Sequence, residues 1–99
     1  MSYAYLVAFD PKGGYANLDW MPEYVEHVMK IIDSYGGEYL VRYQPSQVIE
    51  GDLDPGPLVL VRFPSMERLR AFYESDEYRP WREHRHEVGG TQRIIAFEE

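Results

Sequence analysis

At 99 residues, with 44% hydrophobic and 27% charged side chains, the chain has the size and balance of one globular domain and not of a disordered segment. A formal charge of −7 opposes binding to nucleic acid or to an anionic membrane surface, since both require clustered Lys and Arg. Cysteine is absent, which removes disulfide frameworks, thiolate nucleophiles, iron–sulfur ligands and cysteine zinc sites.

The chain opens with Met1-Ser2-Tyr3, without the basic and apolar regions of a signal peptide, and no apolar run reaches the roughly 20 residues of a membrane span, so a cytoplasmic location is expected. Tyr3–Phe9 follows as a strand apolar on both faces, one lined by Tyr3, Tyr5, Val7 and Phe9, the other by the smaller Ala4, Leu6 and Ala8. Asp10 to Gly14 is turn chemistry. Asn17 or Asp19 is placed to cap a helix that tolerates Pro22 only in its first turn, and Met21, Tyr24, Val25, Val28, Met29, Ile32 and Tyr35 form its apolar stripe. Gly36 ends it as a left-handed cap.

Glu38–Tyr43 alternates as a strand with Tyr39, Val41 and Tyr43 on one face and Glu38, Leu40 and Arg42 on the other. Pro45-Ser46 interrupts it, and Gln47–Glu50 resumes an extended pattern, as an edge strand with a bulge would. A Gly- and Pro-rich stretch from Gly51 to Pro57 reads as a hairpin loop. Leu58–Val61 is an unbroken aliphatic run that fits a strand covered on both faces, stopped by Phe63-Pro64. Ser65 caps the next helix, in which Met66, Leu69, Phe72 and Tyr73 recur at helical spacing. Ser75-Asp76 offers a further cap for a helical stretch from about Glu77 to Val88, with Pro80 in its first turn and Gly89-Gly90 as its stop. Arg93–Phe97 is the last strand.

This order predicts an α+β fold, a ferredoxin-like β-α-β-β-α-β sandwich with an extra helical segment before the last strand, in one domain over residues 1–99. The first and third strands fall in the centre of its sheet. Helices cover one face, and the Tyr, Leu, Ile and Val side chains of the other would be wet in a monomer, which points to a homodimer formed through the sheet.

The runs Gly36-Gly37-Glu38-Tyr39-Leu40-Val41-Arg42, Ile49-Glu50-Gly51-Asp52, Val61-Arg62-Phe63-Pro64-Ser65 and Phe72-Tyr73-Glu74-Ser75-Asp76-Glu77-Tyr78, with Arg85, resemble the bacterial domain-of-unknown-function family numbered 1330, within the dimeric α/β-barrel superfamily. The resemblance covers nearly the whole chain in order. It implies subunits paired sheet to sheet, each with a cleft between sheet and helices, and it implies no established reaction. The chain departs from the family pattern at Arg62, where relatives often carry an acid, and in the long stretch Asp10–Leu18.

Few constellations can carry chemistry. His84 and His86, flanked by Glu83 and Glu87, are the nearest approach to a metal cluster, but residues two apart on a helix point roughly 200° apart, so no functional metal is expected. Arg42, Arg62 and Arg85 offer guanidinium forks that suit a carboxylate or phosphate, against the plainer reading of ion pairs with Glu50 or with a partner subunit. Tyr73, Tyr78 and Trp81 can line one side of a cleft or simply fill the core. Neither a nucleophile elbow nor a nucleotide-cradling glycine loop is present.

The candidate ligand-binding residues are therefore Arg42, Arg62, Tyr73, Tyr78, His84 and Arg85, with Arg85 favoured as an anion clamp. The reading is a small cytoplasmic homodimer that takes a small anionic or aromatic organic molecule in the cleft, as a binding protein or a cofactor-independent enzyme. The alternative, from a different class, is a structural or interaction module whose sheet face serves only assembly.

Overall fold

The computed structural model describes residues 2–9, 21–44, 47–52, 58–89 and 93–99. The expected caps at Asn17 and Asp19, the stretch Asp10–Leu18 and most of the hairpin loop lie outside the described residues. Seven elements follow one another: β1 (Ala4–Phe9), α1 (Met21–Ser34), β2 (Glu38–Gln44), β3 (Leu58–Phe63), α2 (Met66–Tyr73), α3 (Arg79–Gly89) and β4 (Arg93–Glu98). The strands form one antiparallel sheet in the order β2-β3-β1-β4, so the two strands expected in the centre are there.

Local chemistry accounts for the element ends. At the close of α1, Gly36 adopts φ 81°, its N–H reaches the Asp33 carbonyl at 3.0 Å, and the Gly37 N–H reaches that of Ile32 at 2.9 Å. That paired pattern satisfies carbonyls the helix leaves open. Gly37 must also lack a side chain, since a Cβ there would stand 2.4 Å from Ile32 Cγ2. At the start of α2, the Ser65 hydroxyl accepts from the Arg68 N–H at 3.2 Å. Ser75 joins α2 to α3, its hydroxyl donating to the Phe72 carbonyl at 2.8 Å while accepting from the Tyr78 N–H at 3.1 Å. Pro80 falls in the first turn of α3, where its missing N–H costs nothing.

The core lies between the helices and one face of the sheet. Ala4, Leu6 and Ala8 of β1 stand opposite Phe63, Val61 and Val59 of β3, and all six are buried against Tyr24, Val28 and Ile32 of α1 and Leu69 and Phe72 of α2. The opposite face carries Tyr5, Val7 and Phe9 against Arg62, Leu60 and Leu58, with Ile95 and Phe97 of β4 beside them. Within the single chain these side chains are half-buried or exposed, Leu58 and Leu60 being half-buried, while Val59 and Val61 are buried on the helix side.

Edge strand β2 departs from simple alternation. Tyr39 stands opposite Val61 but Val41 opposite Leu60, so Leu40 is an extra residue and Tyr39 and Val41 lie on opposite faces. A second irregularity separates Val41 from Gln44. Both irregularities lie inside the strand, and the expected interruption at Pro45-Ser46 lies outside the described residues. Residues 47–52 are irregular and bent, so no strand resumes at Gln47–Glu50.

Candidate functional site

A cleft opens where the helix layer fails to cover the sheet. α2 packs on β1 and β3, which leaves the helix-side positions of β4 bare: Ile94 is only half-buried and Ala96 is exposed. The small side chain of Ala96 on that face keeps the floor low. The result is a groove of about 340 Å³ between α2 and β4, with Leu6, Met66, Leu69 and Ile94 as apolar walls and Arg70 and Glu74 bearing its charge. Its volume lies at the lower end of the range of small-molecule sites.

An inner chamber of about 40 Å³ adjoins the groove beneath the helices, and Leu6, Tyr73 and Ile94 line both. Tyr24 from α1, Tyr39 from β2 and Tyr78 from the turn before α3 bring phenols to the chamber, among Val28, Val59 and Phe72. The Tyr24 and Tyr78 hydroxyls lie 2.9 Å apart and hydrogen-bond, which satisfies both in an apolar setting. Tyr78 is buried and stacks on Phe72 with ring centroids 4.6 Å apart, so one side chain serves the core and the chamber at once.

Two of the chamber tyrosines, Tyr73 and Tyr39, are backed by an arginine. Arg82 of α3 donates to the Tyr73 carbonyl and lies 5.1 Å from the centre of the Tyr73 ring. Arg42 lies 5.4 Å from the centre of the Tyr39 ring. The β2 bulge is what turns Arg42 to that side, because strict alternation would set it on the face opposite Tyr39. Burial pushes the Tyr39 phenol up to about 12, Tyr78 adds to the rise and Arg42 opposes it. A phenol in that state stays protonated at neutral pH and acts as a hydrogen-bond donor, not as a base.

The residues singled out from the sequence are dispersed by the fold. Tyr73 and Tyr78 meet at the chamber. Arg42 lies on the helix side of β2, in a surface groove of about 480 Å³ with Lys30 and Asp33. Arg62 lies on the opposite face, donating to Glu38 at 2.7 Å and covering the Tyr3 ring at 4.6 Å, so its carboxylate partner is Glu38 and not Glu50. That hydrogen bond raises the Arg62 pKa further. Arg85 is 1% exposed in α3, engaged within the fold, and is not among the described residues lining the groove or the chamber. His84 is exposed on α3. Among the described residues no group of three or more His, Asp or Glu side chains is gathered to hold a metal ion. His27, which has no evident partner in sequence, stacks on Trp81 at 4.7 Å.

Sequence reasoning missed Tyr24, Tyr39, Arg70 and Arg82 as lining or backing residues. The first two were visible only as members of apolar stripes. A phenol repeated at helix-side positions of successive elements is the signal that distinguishes them from aliphatic core.

The model of the family described as Domain of unknown function (DUF1330) matches residues 13–98. No curated protein matches the chain. Among solved structures, the chain is similar to the RPA0582 protein of unknown function from Rhodopseudomonas palustris. The fit has a TM-score of 0.71 at 14% identity, over 99% of this chain and 82% of that one. A methylated form of RPA0582 gives the same TM-score of 0.71 at 15% identity, over 99% and 80%. An EthD-family protein from Bacillus halodurans matches with a TM-score of 0.59 at 12% identity, over 100% and 99%. At these identities the likeness establishes the ferredoxin-like α+β fold alone. No helix of the described residues is long and apolar enough to cross a membrane.

Proposed function

This chain belongs to the DUF1330 family, and on that premise we propose that it is a homodimer that binds a small, apolar or aromatic organic molecule in the cleft between helices and sheet. The observation that carries the reading is the meeting of groove and chamber at Tyr73, which joins an apolar trough open to solvent to a few hydroxyls at its inner end. That combination of apolar walls and sparse polar groups is what a small-molecule site requires. An aromatic body fits better than an anionic one, because Arg70 is the one cation among the described lining residues and it sits beside Glu74.

The second copy is supported by the other face of the sheet. Ile95 and Phe97 are 56% and 49% exposed there, next to Val7, Phe9, Leu58 and Leu60, and a contiguous apolar surface of this kind favours burial. At one end of the same face Arg62 and Glu38 carry opposite charges, so the surface can meet its own two-fold copy without like charges opposed.

Thermal denaturation against a panel of small aromatic and aliphatic compounds, neutral and acidic, tests the cleft. A ligand at ten times its Kd stabilises by about 1.4 kcal/mol, several degrees in Tm for a chain of this length. A panel with no shift at millimolar concentration would leave assembly as the role of the fold. Sedimentation at micromolar concentration tests the dimer, and a monomer there contradicts it.

A further inference from the structure

We propose, building on the cleft reading above, that the chamber takes an uncharged hydrogen-bond acceptor, the carbonyl oxygen of an aromatic ketone, aldehyde or ester, with the Tyr39 hydroxyl as donor and the aromatic body in the α2–β4 groove.

Three features lead there. Every described side chain lining the chamber is aliphatic or aromatic and none carries a positive charge, so a carboxylate pushed into it would lose its hydration without gaining an ion partner. A carbonyl loses far less and needs one donor. The second feature is that donor: Tyr24 and Tyr78 already hold each other at 2.9 Å, whereas the Tyr39 hydroxyl has no hydrogen-bond partner among the described residues and is not sealed from water, so a ligand can take the place of solvent there. Burial keeps the Tyr39 proton in place far above neutral pH, so the phenol has a hydrogen to offer to an acceptor. The third is size. A chamber of about 40 Å³ holds about one water-sized group, which suits a carbonyl oxygen, and the adjoining 340 Å³ suits a ring and its substituents. Tyr73, common to both spaces and held by Arg82, would then lie beside the bond that joins ring to carbonyl.

The test compares three probes of similar shape on the full chain: acetophenone, ethylbenzene, which lacks the acceptor, and benzoate, which makes it anionic. Dissociation constants from ligand-observed NMR should place acetophenone at least about tenfold tighter than either of the others, the scale of one neutral hydrogen bond. Tyr39→Phe keeps the ring and should bring acetophenone to the ethylbenzene value with Tm retained. Benzoate binding as tightly as acetophenone, or a folded Tyr39→Phe variant that binds acetophenone unchanged, overturns the proposal. If Tyr39→Phe does not fold, the order of the three probes on the wild-type protein decides by itself. If none of the three binds, the cleft reading fails and this one falls with it, whereas binding without the stated order removes only this one.

Discussion

The two faces of the sheet divide their side chains by size in the less familiar direction. β1 turns Ala4, Leu6 and Ala8 toward the helices and Tyr5, Val7 and Phe9 away from them. The helix-side face of β1 can be small because Tyr24, Phe72 and Tyr78 supply the bulk from above, and beside β4, where α2 does not reach, Leu6 and Ala96 floor a groove. The outer face has no such filling within the protomer. Its large residues would suit the proposed second copy, packed sheet to sheet at about 10 Å, the distance at which two layers of side chains interdigitate. One face is thus built around space and the other around contact.

The sharpest way to break this division is to remove bulk from the helix side. Phe72 is 2% exposed and stacks on Phe63 and Tyr78 with centroids 5.6 and 4.6 Å away. Phe72→Ala should cost about 3–5 kcal/mol, read as a lowered urea midpoint at fixed protein concentration. A loss below about 1 kcal/mol would mean that the chamber side of the core is not close-packed.

On the outer face the expected loss is in association. Ile95→Asp places a charge on the apolar surface and should weaken self-association at least about a hundredfold, roughly 2–3 kcal/mol, seen as monomer in sedimentation. The folded protomer should change by less than about 1 kcal/mol, because Ile95 is already 56% exposed within it. An unchanged dimer would place the interface elsewhere.

Alkaline pH probes the chamber. An unfolded tyrosine loses its proton near 10, while Tyr39 in the fold holds it to about 12. The Tyr39 contribution is therefore complete below pH 10 and is lost as pH rises from 10 through 12, by on the order of 2–3 kcal/mol in total. Urea unfolding of wild type and Tyr39→Phe at pH 9, 10 and 11 isolates this part, and the variant should lose less stability across the series. Parallel losses would mean that Tyr39 is not held neutral by its surroundings. The smallest effect is local: Ser65→Ala removes the cap of α2 and should cost about 1 kcal/mol by the same assay, without altering the sheet-face association.

Much of this division was legible in the chain. The alternation of Tyr5, Val7 and Phe9 with Ala4, Leu6 and Ala8 set the two faces of β1 apart before any coordinates, because side-chain direction in a strand has a period of two. Ser65 and Gly36 marked helix ends for reasons of backbone hydrogen bonding that act within a few residues. The candidate site was less legible. Leu40 is accommodated as a bulge by pairing with β3, a tertiary event, and that one extra residue moves Arg42 away from Arg62 and onto Tyr39. Arg85 looked like an anion clamp from its residue type, yet only the packing of α3 decides that it is buried away from the groove. The groove itself is a missing cover over β4, and a short pattern does not record which strand a helix will fail to reach.

The most direct test of the two-face account is methyl NMR of the full chain titrated with acetophenone. The account predicts chemical-shift changes at the methyls of Leu6, Met66, Leu69 and Ile94, which line the groove, while Val7, Leu58 and Leu60 on the outer face stay unmoved. Shifts confined to Val7, Leu58 and Leu60, with the groove methyls silent, would contradict it.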